Sequence, residues 1–182
     1  MNVIYRLEDA VVGPIGRALD GAAIATLARF TFLATLAMWF WTSALTKLGP
    51  GIGGIFSPSL GAYAQIFPKQ MEAVGYDPSQ LGTGIKLVVI AGTWGEFIIP
   101  ALLIVGLFTR AAAVAMIVLI LVISFVDITG HGADALTIGS WFDKEPDSKI
   151  LDQRLLWIFL MLVIIIRGAG PLSLDALFRQ RA

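Results

Sequence analysis

The chain has 182 residues, of which 57% are hydrophobic and 14% charged; 13 basic and 13 acidic residues balance to zero net charge, and there is no cysteine. Soluble domains average about 45–50% apolar and about 25% charged residues, so this composition argues against a soluble enzyme, a disordered tail and a nucleic-acid binder. The missing cysteines remove disulfides, thiolate metal sites, iron–sulfur ligation and thiol redox steps, and one histidine, His131, is too few for two-histidine haem ligation.

These numbers predict one all-α integral membrane domain over residues 1–182. Residues 1–28 carry Glu8, Asp9 and Asp20 among apolar side chains, which does not match a signal peptide. Val11, Ile15, Leu19, Ala22 and Ala23 form an apolar face, and Pro14 suits a helix start, so this segment is expected to be an N-terminal interfacial helix. The first span holds 17 uncharged residues, 30–46, between Arg29 and Lys47. A Gly- and Pro-rich loop follows over 48–84, with an amphipathic or re-entrant helix expected over 60–74 and broken near Pro68. The second span holds 23 residues between Lys86 and Arg110, with Glu96 its only charge, and Thr109-Arg110 turns the chain directly into a third span of 16 uncharged residues, 111–126.

The fourth apolar run is short, with 12 uncharged residues, 155–166, between Arg154 and Arg167. Thirteen rises give about 20 Å against a hydrocarbon thickness of about 30 Å. The helix is therefore expected to extend back through Ile150, bringing Asp152, Gln153 and Arg154 to the membrane edge. The expected architecture is a four-transmembrane-helix bundle over 29–175 with a C-terminal tail, 176–182. Lys and Arg divide seven to six between the two sides. The short Arg110 turn and short C-terminal tail weigh more than the long loops, which places both termini in the cytoplasm.

Glu96 is the sharpest chemical signal. A carboxylate near mid-membrane costs about 2.5–3.5 kcal/mol on insertion scales and is expected to face the bundle interior. Gly92 and Gly95 permit close helix approach, and Pro100 deprives the Glu96 carbonyl of its helical donor. The site is either a proton, cation or quinone-headgroup site or a structural pin. Lys47, one turn after Ser43 and two after Trp39, either snorkels at the interface or reaches inward to Glu96. Asp127, His131, Asp152 and Arg154 gather at the outer ends of the third and fourth spans, with Asp127 and His131 on one face if the helix continues that far. Asp152 and Arg154, two apart, are expected to find different partners. One histidine with one or two acids does not make a metal site, and none is expected.

The ordered motifs resemble the DoxX family of bacterial and archaeal four-helix membrane proteins. Glu96 followed by Gly106-Leu107-Phe108-Thr109-Arg110 is similar to the family's glutamate and G-L-x-T-R turn, and Ala44-Leu45-Thr46-Lys47-Leu48 to its lysine ending helix one. His131 stands where the family often has a histidine, and Gly168-Ala169-Gly170-Pro171-Leu172-Ser173-Leu174-Asp175 resembles its C-terminal G-x-G-x-x-S-x-D signature. The resemblance runs from about Arg29 to Asp175, and a third loop, 132–149, is longer than in short members. It implies an accessory subunit of an inner-membrane oxidoreductase or electron-transfer complex, without independent catalysis. The implied partners are the lipid bilayer and other membrane subunits, and quinone is the one cofactor implied. A small proton- or metal-ion-coupled transporter using Glu96 with Lys47 or Arg154 is the rival expectation.

Overall fold

The computed structural model describes residues 2–180. Every regular element among them is helical: α1 (Asn2–Leu19), α2 (Ala22–Thr46), α3 (Leu60–Ile66), α4 (Pro68–Ala73), α5 (Thr83–Val105), α6 (Thr109–Thr129), α7 (Ala135–Ile138), α8 (Gln153–Arg167) and α9 (Leu174–Arg179). Three of them, α2, α5 and α6, are long and apolar enough to cross a membrane. α8 has 15 residues. It packs against α6 and α2, and α5 packs against α6 and α2, around a core that includes Phe32, Phe40, Leu103, Met116, Ile120, Met161 and Ile164.

Three boundaries differ from expectation. The segment 1–28 breaks at Asp20-Gly21, so Ala22 and Ala23 open α2 and do not continue the face of α1. Pro14 lies inside α1 rather than at its start. α8 begins at Gln153 and does not reach back through Ile150. The reason lies in the preceding loop: the Leu151 carbonyl accepts from Trp141 Nε1 in place of a helical N–H, and the Ile150 and Leu151 N–H groups donate to the Thr137 and Ile138 carbonyls, which ties this segment to the α7 turn. Residues 60–73 form helix broken at Phe67, as expected from Pro68 at the first position of α4. α3 and α4 lie against the first half of α5, where Ala62, Tyr63, Met71 and Val89 form a second small core.

One end of the bundle is tied by an arginine and an aspartate. Arg29, 7% exposed, donates from Nε to the Leu103 carbonyl, from Nη1 to those of Ala169 and Leu172, and from Nη2 to that of Ile104. Leu103 and Ile104 are in the last turn of α5, whose carbonyls lack helical donors, so the guanidinium fork caps that end. Gly106 then turns the chain with φ +69°, and a Cβ there would meet Arg29 and Ser173. Asp175 closes the start of α6: its carboxylate accepts from the Phe108 and Thr109 N–H groups and the Thr109 hydroxyl, each at 2.8–2.9 Å. Burial opposes ionisation of Asp175, but these bonds outweigh it and hold the carboxyl below its ordinary range.

The stabilisation from Asp175 is therefore present above about pH 4, the unfolded carboxylate range, and is lost as pH falls through the lower folded value. Asp175→Asn is expected to cost about 1–2 kcal/mol at neutral pH, the scale of a lost N-terminal cap, with the gap to the parent protein closing below about pH 4. Thermal unfolding in detergent across a pH series measures both.

Candidate functional site

Glu96 lies on α5, 4% exposed, and Lys47 at the end of α2, 3% exposed. Lys47 Nζ stands 2.9 Å from Glu96 Oε2, and also donates to Ser43 Oγ at 2.6 Å and the Ser43 carbonyl at 3.3 Å. Of the two positions considered for Lys47, the structure has the inward one. The ammonium's three donors are all engaged. Glu96 Oε1 accepts no hydrogen bond among the described residues, and Ser43 Oγ, already an acceptor from Lys47, keeps its own proton to donate. The pair therefore leaves one acceptor and one hydroxyl donor open.

Ser43, Lys47 and Glu96 border a cleft of about 710 Å³ along α5 and α6. Gly92 and Gly95 keep its α5 wall low, Val118, Val122 and Ile123 supply the α6 wall, and Ser43, Lys47 and Glu96 give a polar patch. Val88, Val118 and Val122 are exposed, so the cleft opens sideways. The junction is braced by two indoles: Trp41 Nε1 donates to the Phe97 carbonyl at 3.2 Å and Trp94 Nε1 to the Ile55 carbonyl at 3.1 Å. The Trp41 bond reaches the carbonyl next to that of Glu96, in the turn that Pro100 disturbs.

Asp127 and His131 also border the cleft, but they do not pair. α6 ends at Thr129, so the two do not share a continuous helical face. His131 Nε2 lies 2.9 Å from the Gln65 carbonyl, and because a carbonyl only accepts, Nε2 carries the proton in this geometry. Asp127 Oδ2 instead accepts from Arg154 Nη2, while Arg154 Nη1 donates to Ser124 Oγ at 2.9 Å. Asp152 lies apart from both ion pairs. Its carboxylate accepts from the Ser148 N–H at 3.0 Å, and its own N–H donates to Ser148 Oγ at 3.2 Å, a staple within the loop before α8. Of the four intramembrane candidates, Glu96 and Lys47 meet, Arg154 stands with Asp127, and Asp152 stands with neither.

Arg29 and Asp175 matter structurally without having been singled out by residue-level reading. Arg29 looks in sequence like any arginine flanking a span, and its carbonyl partners leave no side-chain signature. The Ser124–Asp127 spacing, three residues on a helix, was a usable signal for a shared Arg154 partner.

The chain matches no family model, no curated protein and no solved structure.

Asp127→Asn is expected to destabilise the fold by about 2–3 kcal/mol, because it leaves the buried Arg154 charge uncompensated; the part-exposure of Asp127 keeps this below the ~3–5 kcal/mol of a fully buried pair. Glu145→Gln, which breaks the exposed Lys144–Glu145 contact, is expected to change stability by less than about 0.5 kcal/mol. Unfolding of both variants in the same detergent makes the comparison.

Proposed function

We propose that this chain is a DoxX-type accessory subunit of an inner-membrane oxidoreductase or electron-transfer assembly, and that its α5–α6 cleft receives a membrane quinone. One observation carries the reading: a largely apolar, laterally open cleft of about 710 Å³ is lined by Ser43 and by the residues of a buried ion pair, in which one carboxylate oxygen is unengaged among the described residues. Ligand pockets combine such apolar lining with a few placed polar groups. A quinone supplies two-electron, two-proton carriage within the bilayer. In this assignment the Ser43 hydroxyl donates to a ring carbonyl, Glu96 Oε1 accepts from a ring hydroxyl in the reduced carrier, and the α6 valines hold the apolar tail. Lys47 keeps Glu96 in place.

α8 is taken as the fourth span. Arg154, at its start, meets Asp127 at one end of α6, and Arg167, at its finish, lies 2.8 Å from Asp20 just before α2. Its 15 residues thus join the same two ends as the longer helices, with the arginines bracketing the apolar run. α1 is taken as interfacial: Val3, Leu7, Val11, Ile15 and Leu19 are exposed along it, an apolar surface suited to the headgroup boundary. In this reading both termini are cytoplasmic, an assignment that rests on the weight given to the short Arg110 turn and the short C-terminal tail.

Purification in mild detergent is expected to retain redox subunits and extractable quinone. Ser43→Ala, which keeps the Lys47–Glu96 contact but removes the hydroxyl donor and one acceptor of the Lys47 ammonium, is expected to lower bound quinone by at least about tenfold, the effect of the lost quinone hydrogen bond of about 1.4 kcal/mol. A chain isolated alone, without redox partner or quinone, overturns the reading. Proton-coupled uptake into vesicles that Glu96→Gln abolishes replaces it with transport.

A further inference from the structure

The end of the bundle away from Lys47 holds a pocket of about 400 Å³, where the turn after α8 meets the starts of α2, α6 and α9. Three arginines from three helices line it: Arg110 on α6, Arg167 on α8 and Arg179 on α9. All three are exposed. Arg167 Nη1 lies 2.8 Å from Asp20 Oδ1, which offsets its charge in part. Arg110 and Arg179 stand in no ion pair among the described residues.

The Arg110 guanidinium has a fixed place. Its Nη2 donates to the Ile166 carbonyl at 3.3 Å, and a Cβ added to Gly168 would lie 3.6 Å from its Nε. The group therefore lies over the turn at Gly168, whose φ of +80° suits a glycine. One long hydrogen bond leaves most of the five guanidinium donors without an acceptor among the described residues.

The acceptors on the pocket wall, by contrast, are already in use. The Ala169 carbonyl accepts from Arg29 Nη1 and the Gly170 carbonyl from the Ser173 hydroxyl. Asp175 is the one acid on the wall, and its two oxygens take the Phe108 and Thr109 N–H groups and the Thr109 hydroxyl. A pocket with open cationic donors and occupied acceptors favours an anion and disfavours a cation.

The position of the pocket narrows the choice of anion. α6 has 21 residues, about 30 Å of helix, so its start reaches the boundary between hydrocarbon and head groups when its other end does. Phospholipid phosphates lie at that level, and arginine presents a fork that matches them. Exposed apolar side chains adjoin the arginine: Ile166, whose carbonyl it holds, and Val114, one turn along the same face of α6. A lipid seated on Arg110 has these for its chains. The ammonium of a zwitterionic head group would meet the remaining guanidiniums without a free carboxylate on the wall to receive it.

We infer that this pocket binds the phosphate of an anionic phospholipid of the phosphatidylglycerol type, between Arg110, Arg167 and Arg179, with its chains against Ile166 and Val114. A soluble phosphate ester carries the same group, and the chain-free head group separates the two sources. The inference requires the membrane placement of the helices but not the quinone reading.

Native mass spectrometry of the purified full chain tests it, with titrations of phosphatidylglycerol and phosphatidylcholine of matched acyl chains and of glycerophosphoglycerol. One phosphatidylglycerol is expected to bind about tenfold or more tighter than phosphatidylcholine, the scale of one charge-assisted hydrogen bond. Arg110→Gln and Arg179→Gln, both at exposed positions, are each expected to weaken that binding about tenfold, while keeping the parent melting temperature in lipid-free detergent and the parent quinone content. Lys144→Gln removes an exposed charge from the loop at the other end and is expected to leave the binding unchanged. Equal affinity for the two lipids, binding unchanged in both arginine variants, an equal loss in Lys144→Gln, or glycerophosphoglycerol binding as tightly as the lipid each overturns the site.

Discussion

The rest of the molecule depends on the buried contact between Lys47 and Glu96. Either charge alone at that depth is strongly unfavourable; together they tolerate it, because each compensates the other and Ser43 takes the remaining ammonium protons. The pairing sets where α2 stops against α5. It also decides which side of α5 faces inward, since Glu96 cannot rotate outward without abandoning its partner. Trp41 and Trp94 then fasten carbonyls on either side of the same junction. The cleft follows: two glycines beside Glu96 leave space on α5 that no side chain of α6 fills.

The same logic governs the two ends of the bundle. Arg29 satisfies four carbonyls around the α5–α6 turn, and Asp175 supplies the acceptors that the first N–H groups of α6 need. At the opposite end Arg154 reaches across to Ser124 and Asp127. An arginine fork suits both places because it presents five donors in a fixed geometry and stays charged. The exposed Lys144–Glu145 contact ties no helices together, and its side chains are largely solvated.

Much of this was legible in the sequence, and the remainder was hidden for physical reasons. Glu96 stood out because it is the lone charge in a 23-residue apolar run. Lys47 was visible as a candidate partner, but sequence alone did not separate inward reach from snorkelling, since both use the same flexible stem. The break at Pro68 followed from backbone chemistry. The start of α8 did not, because it depends on loop partners, Trp141 Nε1 on the Leu151 carbonyl and the Thr137 and Ile138 carbonyls on the Ile150 and Leu151 N–H groups, that no spacing rule reveals. His131 was set beside Asp127 by helical spacing, and two residues past the end of α6 that spacing no longer applies. Arg29 was legible only as the charge that bounds the first span, and its capping role left no signal because its partners are backbone atoms.

The central claim is that Lys47 and Glu96 act as one unit that holds α2 to α5. A double-mutant cycle with Lys47→Met and Glu96→Gln, read by reversible unfolding in detergent, measures it most directly. The account predicts a coupling above about 2 kcal/mol, with the double variant costing far less than the two single losses combined. Additive losses, with coupling within about 0.5 kcal/mol, would contradict it.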